Sequence, residues 1–288
     1  MIRIECSGGL GNQLFVWAAA HELTQIYEEE VKIFYYYPEN KNEPRRFELQ
    51  TLLENCGHGI SAKNSKLASF LMRLLDFMGK YPKCRSLAVS LLSIDENSDP
   101  CRDIVTRARK PRIIRGFFQN DSLVERNREL LLPELEKTLN SIHGKNSKME
   151  NTQNTKCAIH VRRGDSVANI DTAGVLRVDY YTSQIIKYQE VNIFSDDATI
   201  IDLFRNNNKK KYNFFTPESM STWETLKEIS ENEVIISANS TFSWWASKIA
   251  MWRYDSTVYF PHVWTKKSNM SFERIYPKDV IRLEALYE

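Results

Sequence analysis

Apolar residues fall along the chain in two alternating periods, every second position and then every third or fourth. Ile2 to Cys6 has the alternation of a strand, and from Leu14 to Tyr27 the residues Val16, Ala19, Ala20, Leu23, Ile26 and Tyr27 recur at helical spacing. Val31 to Tyr36 reads as a second strand, which makes a βαβ opening. After a Leu-rich helical pattern at Leu130 to Leu139, the same alternation resumes. Strands are expected at Cys157 to Val161, Val191 to Phe194, Val234 to Ile236 and Thr257 to Phe260, and helices at Tyr180 to Tyr188, Thr222 to Ser230 and Phe242 to Trp252. Strands alternating with helices predict parallel sheets flanked by helices, which bind ligands beyond the carboxyl ends of the strands.

Two polar stretches read as connectors, Tyr37 to Arg46 and Asn140 to Lys156. The second separates the two alternating runs, so an N-terminal lobe over residues 1–145 and a C-terminal lobe over 146–288 are expected. Lys and Arg total 39 against 37 Asp and Glu, so net charge gives no sign of a polyanionic partner and any anion site must be local. The six basic residues between Arg102 and Arg115 alternate with Ile104, Val105, Ile113 and Ile114, the pattern of a solvated face, and no nucleic-acid partner is expected. The five cysteines are scattered without a Cys-x-x-Cys pair, which argues for reduced, buried thiols over disulfides or zinc. No run reaches the ~20 apolar residues of a membrane span, and the opening lacks a secretory signal. A cytoplasmic protein is expected. Leu67, Leu71, Leu74, Leu75 and Met78 share one helical face, read as a packed helix in preference to a peripheral contact at the inner membrane.

Four strand-to-loop junctions carry the chemistry. Ser7 to Phe15 joins a strand to a helix through Gly8, Gly9 and Gly11, a turn that lets backbone approach a ligand at a helix N-terminus. It is not a dinucleotide fingerprint, since Leu14 stands at the third glycine and Tyr35 to Tyr37 replace the ribose-binding acid. At the second junction, His160, Arg162, Arg163 and Asp165 gather where an apolar strand ends, and guanidinium forks suit a diphosphate. A structural ion pair between Arg163 and Asp165 is the plainer alternative. The third junction ends in Asp196 and Asp197, which could accept hydrogen bonds from a guanine edge, bind a metal, or cap a helix. In the fourth, Asn239, Ser240 and Thr241 precede a helix whose end could be capped by Ser240 or Thr241 and could hold a diphosphate. Trp245, Ile249 and Trp252 read as core, and Trp244 is left unassigned.

In this order the four segments resemble the motifs of the α-1,2-fucosyltransferase family, Gly8 to Phe15 the first and His160 to Asp165 an arginine motif shared with α-1,6- and protein O-fucosyltransferases. Phe194 to Asp197 and Ala238 to Trp245 resemble the third and fourth, and Gly116 to Asn120 an aromatic-Gln segment. Ser166, Val16 and Ala246 depart from the family's usual Tyr, polar residue and Gly, differences that bear on the acceptor more than on the donor. The resemblance implies a GT-B-like α/β fold of two Rossmann-type lobes, with GDP-fucose in the C-terminal lobe. It implies inversion without a metal or other cofactor, and transfer to the 2-hydroxyl of a galactose-terminated oligosaccharide or lipid-linked glycan. Arg162 is then expected to neutralise the leaving diphosphate and Asn12 to lie across the cleft near the reacting sugar. Asp171 is the candidate general base. A metal-dependent transferase using Asp196 and Asp197, and an inactive carbohydrate-binding protein, are the rival readings.

Overall fold

The computed structural model describes residues 1–35, 46–55, 60–62, 70, 74, 77, 94–95, 99–106, 110–142, 156–167, 170–171, 173–185, 188–205, 211–267 and 271–288. The chain divides into two compact units, Met1–Thr138 and Leu139–Glu288. The expected division at 145/146 lies outside the described residues.

In the first unit, β1 (Ile2–Cys6) leads into α1 (Leu10–Tyr27) and β2 (Val31–Tyr35), followed by α2 (Gln50–Leu53), β3 (Ile60–Ala62), β4 (Ile94–Asp95) and β5 (Ile113–Ile114). The five strands form one parallel sheet ordered β3-β2-β1-β5-β4, with Ile4 opposite both Ile33 and Ile114. Two helices close the unit, α3 (Asp121–Arg126) and α4 (Arg128–Ser141), and the boundary between units falls inside α4. Helix α1 begins four residues earlier than the apolar period suggests. Gly9 accepts from Gln13 N at 3.1 Å as its N-cap, and the buried Gln13 side chain pins the first turn by donating to Gly8 O and Arg46 O and accepting from Glu48 N and Leu49 N. Gly11, Asn12 and Gln13 therefore belong to the helix and not to the turn.

The second unit contains β6 (Cys157–Val161), α5 (Gly164–Val167), α6 (Val178–Thr182), β7 (Glu190–Ser195), α7 (Ile200–Arg205), β8 (Lys211–Phe215), α8 (Thr222–Ser230), β9 (Val234–Ile236), α9 (Thr241–Tyr254), β10 (Thr257–Pro261) and β11 (Ile281–Leu283). Its six strands are all parallel, in the order β11-β10-β9-β6-β7-β8, with Ile159 opposite Ile193 and Ile236. Chain order runs outward from β6 in both directions, which is the doubly wound arrangement with its switch point between β6 and β9. The α/β class with two Rossmann-type lobes is thus as expected.

Helices α8 and strands β6 and β9 occupy the expected ranges, and Ser221 closes α8 with a reciprocal cap to Glu224. The helix expected at Tyr180 to Tyr188 is confined to Val178–Thr182 and gives way to turns in which Tyr188 N bonds Ile185 O. Strands β8 and β11 have no counterpart in the sequence reading. They are the two edges of the sheet, where partner hydrogen bonds from β7 and β10 decide the conformation instead of local periodicity. Cys6, Cys101 and Cys157 are buried thiols outside any disulfide, whereas Cys56 and Cys84 lie outside the described residues. Most of Leu67 to Met78 does too; Phe70, Leu74 and Phe77 are described, helical and exposed.

Candidate functional site

Strands β6, β7 and β9 lie side by side and end together, so the loops that follow them meet at the carboxyl edge of the second sheet. Arg162 and Arg163 leave β6, and Asp196 and Asp197 leave β7, where Val161 pairs with Ser195. The two acids have separate tasks. Asp196 Oδ1 accepts from the backbone N–H of Arg163 at 2.8 Å and of Gly164 at 3.0 Å, while Oδ2 is paired with Arg162 Nη1. A Cβ on Gly164 would come within 2.4 Å of Asp196 Oδ2, so only glycine lets this loop wrap the carboxylate so tightly. Asp197 starts the next helical turn by accepting from Thr199 N and Oγ1 at 2.9 and 2.7 Å, and it meets Arg163 Nε at 3.2 Å. Hydrogen bonding by Thr199, ahead of the Arg163 contacts, lowers the Asp197 pKa. The helix-start role weighed for one of these aspartates thus falls to Asp197.

Arg163 reaches Glu288 as well as Asp197, with Nη1 to Glu288 Oε1 at 2.6 Å. Glu288 is drawn in by its own N–H bond to Val175 O at 2.8 Å, a partner 125 positions away that spacing gave no way to find. Asp165 falls in α5, and its side chain lies outside what is described. Asp171 is exposed on a turn.

The fourth junction begins at β9. Ser240 caps α9 by accepting from Phe242 N at 3.3 Å, and Thr241 is the first helical residue. Asn239 turns its amide nitrogen to Ala173 O at 3.1 Å, tying this loop to the left-handed Gly174. His160, buried at the end of β6, joins the two elements through Nδ1 and Ser243 Oγ and lies 5.3 Å from the Phe242 ring. Burial lowers its pKa to about 4, with Asp196 opposing the shift and Arg162 adding to it, so the ring is neutral at pH 7. Trp244 proves to be core, like Trp245, Ile249 and Trp252, and its indole donates to Ile275 O.

The first unit has its own switch point, between β1 and β5. Gly8 takes φ +84°, and a Cβ there would lie 2.6 Å from Asn12 Nδ2. Gln119 Nε2 donates to Asn12 Oδ1 at 3.1 Å, which brings the Gly-rich turn and the aromatic-Gln segment together. Between them, Phe118 is buried at φ +54°, a left-handed conformation that costs a bulky residue about 1–3 kcal/mol. Its ring lies 5.0 Å from the guanidinium of Arg102, which is buried and not on a solvated face as its alternating neighbourhood suggested. Arg115, from the same basic run, pairs with Glu5 at 2.5 Å, while Arg107 and Arg109 lie outside the described residues. Gly9 caps α1 in an extended backbone conformation, and Gly11 is buried in the first helical turn.

A family model described as glycosyl transferase family 11 matches residues 100–283, more than half of the chain. The chain belongs to glycosyl transferase family 11. The matched range takes in Gly116 to Asn120 and the three junctions of the second unit, whereas the Gly-rich junction precedes it. This family 11 glycosyltransferase is similar to the O-antigen biosynthesis glycosyltransferase WbnK of Escherichia coli, 25% identical with 92% of this chain and 95% of that protein covered. An alpha-1,2-colitosyltransferase of Escherichia coli is 22% identical, covering 96% and 97%. Among solved structures it is similar to the NodZ alpha-1,6-fucosyltransferase from Bradyrhizobium soaked with GDP-fucose, with TM-score 0.45, 11% identity, and 85% of this chain and 91% of that one covered.

Proposed function

We infer that this glycosyltransferase moves L-fucose from GDP-β-L-fucose to the 2-hydroxyl of a galactoside in a surface glycan, giving an α-1,2-fucoside. The observation that carries the donor half is the switch point of the second unit, where Arg162 and the N-terminal end of α9 leave neighbouring strands. A guanidinium fork and a helix end together suit a diphosphate. Support for the acceptor half comes from the relatives, one named for O-antigen biosynthesis and the other for α-1,2 transfer.

In this reading the acceptor hydroxyl attacks C1 as GDP departs in one displacement. Arg162 neutralises charge growing on the β-phosphate, which lowers the barrier because the group is already in place when that charge appears. Ser240, Thr241 and the first turn of α9 hold the diphosphate, and Asn239 shapes that loop through its bond to Ala173. We assign the guanine edge to Asp196 and Asp197, the reacting sugar to Asn12, and the general base to Asp171. Asp196 and Asp197 are already engaged by arginine and backbone donors, which favours a reaction without a metal over one using the two acids as ligands. Among the described residues no helix is long and apolar enough to cross a membrane, and we place the reaction on the cytoplasmic side, where nucleotide sugars are made.

A second donor is favoured by one finding, the relative named for colitose transfer. The test is to incubate the protein with GDP-fucose, GDP-colitose, GDP-mannose or UDP-galactose and a panel of β-galactosides, and to read the product by NMR. An α-fucoside on the 2-hydroxyl is expected. A β-fucoside would sink the single displacement, an α-fucoside on another hydroxyl would refute the acceptor alone, and transfer only from GDP-colitose would replace the donor.

A further inference from the structure

We propose that residues 286–288 brace the two loops assigned to the diphosphate, with Glu288 as a positioning residue that sets the loop of Arg162 through Arg163. The inference rests on the reading of this site as one for guanosine diphosphate.

Residues 286–288 run antiparallel to residues 175–177. Leu286 O accepts from Arg177 N at 2.7 Å, Glu288 N donates to Val175 O at 2.8 Å, and Tyr287 pairs with Leu176 between them. The Tyr287 hydroxyl donates to Val263 O at 2.6 Å, and its ring lies so close to Gly174 that a Cβ there would stand 2.5 Å from it. This small platform touches both loops. On one side the Asn239 amide, just before the α9 cap, donates to Ala173 O at 3.1 Å and reaches Gly174 O at 3.5 Å. On the other, Glu288 Oε1 accepts from Arg163 Nη1 at 2.6 Å. Arg163 in turn fixes the loop of Arg162 at three points, because its N–H donates to Asp196 Oδ1, its Nε to Asp197 Oδ2 and its Nη1 to Glu288. The separation between that loop and Ser240 is thus set in part from residues 286–288.

An ion pair between two mobile side chains contributes little, because forming it must order both. Glu288 differs: its backbone is fixed by Val175, its neighbour Tyr287 is fixed by Val263, and the Arg163 side chain it meets is only 16% exposed. Removing the carboxylate leaves a largely buried guanidinium with one of these two acids in place of both. The loop then relaxes, and Arg162 moves with it, away from the geometry that meets the diphosphate. Charge acts in the opposite direction, since loss of a nearby carboxylate would by itself favour an anionic ligand. The sign of the change therefore separates positioning from simple repulsion.

The experiment uses the full chain and combines calorimetric GDP titration, thermal melts and steady-state kinetics. Glu288→Ala is expected to weaken GDP binding by about tenfold, the scale of one hydrogen bond to a charged group. Donor KM should rise by the same factor with acceptor KM unchanged. Glu288→Gln, whose amide oxygen can still accept from Arg163, should lose less. In an Arg163→Met background, adding Glu288→Ala should bring no further loss, because the two residues act as one unit. Should the alanine protein melt below the assay temperature, Glu288→Gln is read in its place, alone and with Arg163→Met. Unchanged GDP affinity in a folded Glu288→Ala protein, with or without a lower melting temperature, would make the segment structural only and overturn the proposal. Tighter binding would overturn it too, by making Glu288 a repelling charge. A full loss in the Arg163→Met background would reject the route through Arg163. Failure of GDP to bind the parent would instead remove the donor reading itself.

Discussion

The two sheets share a plan and differ in what they put at the same place. In each unit the first strand lies where chain order reverses, beside β5 in one and β9 in the other, and the loops leaving that pair carry the polar residues. In the first unit those loops meet through uncharged amides, Asn12 and Gln119, and through the left-handed Gly8 and Phe118. In the second, ion pairs tie the loop after β6 to the loop after its other neighbour, β7, and to Glu288: Arg162 with Asp196, and Arg163 with Asp197 and Glu288. Topology fixes where a ligand can approach, while side-chain charge decides what kind of group each edge suits. A charged edge suits a diphosphate; an amide edge suits hydroxyls.

The sharpest way to break this comparison is to remove one residue from each edge. Arg162→Ala should lower kcat by about 10³-fold, the scale of losing a preorganised group that meets transition-state charge. Arg162→Lys should recover little, because an ammonium cannot reproduce the fork. Asn12→Ala should lower kcat with nucleotide affinity unchanged. Steady-state kinetics alongside GDP titration separate the two, and near-normal turnover in the lysine variant would reject the clamp.

A smaller effect is expected from the two glycines. Gly164→Ala drives a carbon into the Asp196 carboxylate, and should weaken GDP binding by roughly tenfold, the scale of one displaced charge-assisted contact. Gly8→Ala places an L-residue at φ +84° against the Asn12 amide, and should cost about 1–3 kcal/mol of stability and slow turnover without loosening GDP. Equal loss of GDP affinity in both variants would erase the division of labour.

How much of this was legible in the sequence differs between the same two edges. Strands β6, β7 and β9 are apolar, short and followed at once by charged or polar turns, so both their positions and the residues at their ends were readable. The partners were not. Glu288 and the carbonyls of residues 173 and 174 reach the site through contacts more than sixty residues apart, which no local period encodes. The first unit was harder still. Its β3, β4 and β5 have only two or three residues, too few for an alternation to register. Gln119 could be quoted as part of a motif, but its bond to Asn12 depends on the left-handed turn at Phe118, a conformation that an aromatic residue does not advertise.

Protonation probes the charged edge more gently. In the unfolded chain His160 takes up a proton near the ordinary ~6.5, whereas burial lowers the folded value to about 4. Between these values the unfolded state binds more protons, so stability falls as pH falls, by up to about 1.4 kcal/mol per unit and at most about 3.5 kcal/mol in all. Above pH 7 this contribution is fully present. Thermal melts of the parent from pH 7 to 4.5 should therefore drop more steeply than those of His160→Gln, which has no such proton to gain. Parallel slopes would show that the ring does not titrate as a buried neutral group.

The smallest effect expected is none, and it distinguishes the two edges by what the charged one can do without. Were Asp196 and Asp197 a metal site, a chelator would remove activity and Mn²⁺ would restore it. The carboxylates are oriented for other work: Asp196 closes on Arg162 and two N–H groups, and Asp197 on Thr199 and Arg163. Among the described residues no three His, Cys, Asp or Glu side chains converge as a divalent cation would need. In the function proposed above, positive charge toward the leaving diphosphate comes from Arg162 and the α9 N-terminus. Millimolar chelator should leave initial rates unchanged at saturating donor and acceptor. Loss of rate that Mn²⁺ reverses would move the leaving-group charge from arginine to a cation and leave the two sheet edges far less different than their side chains suggest.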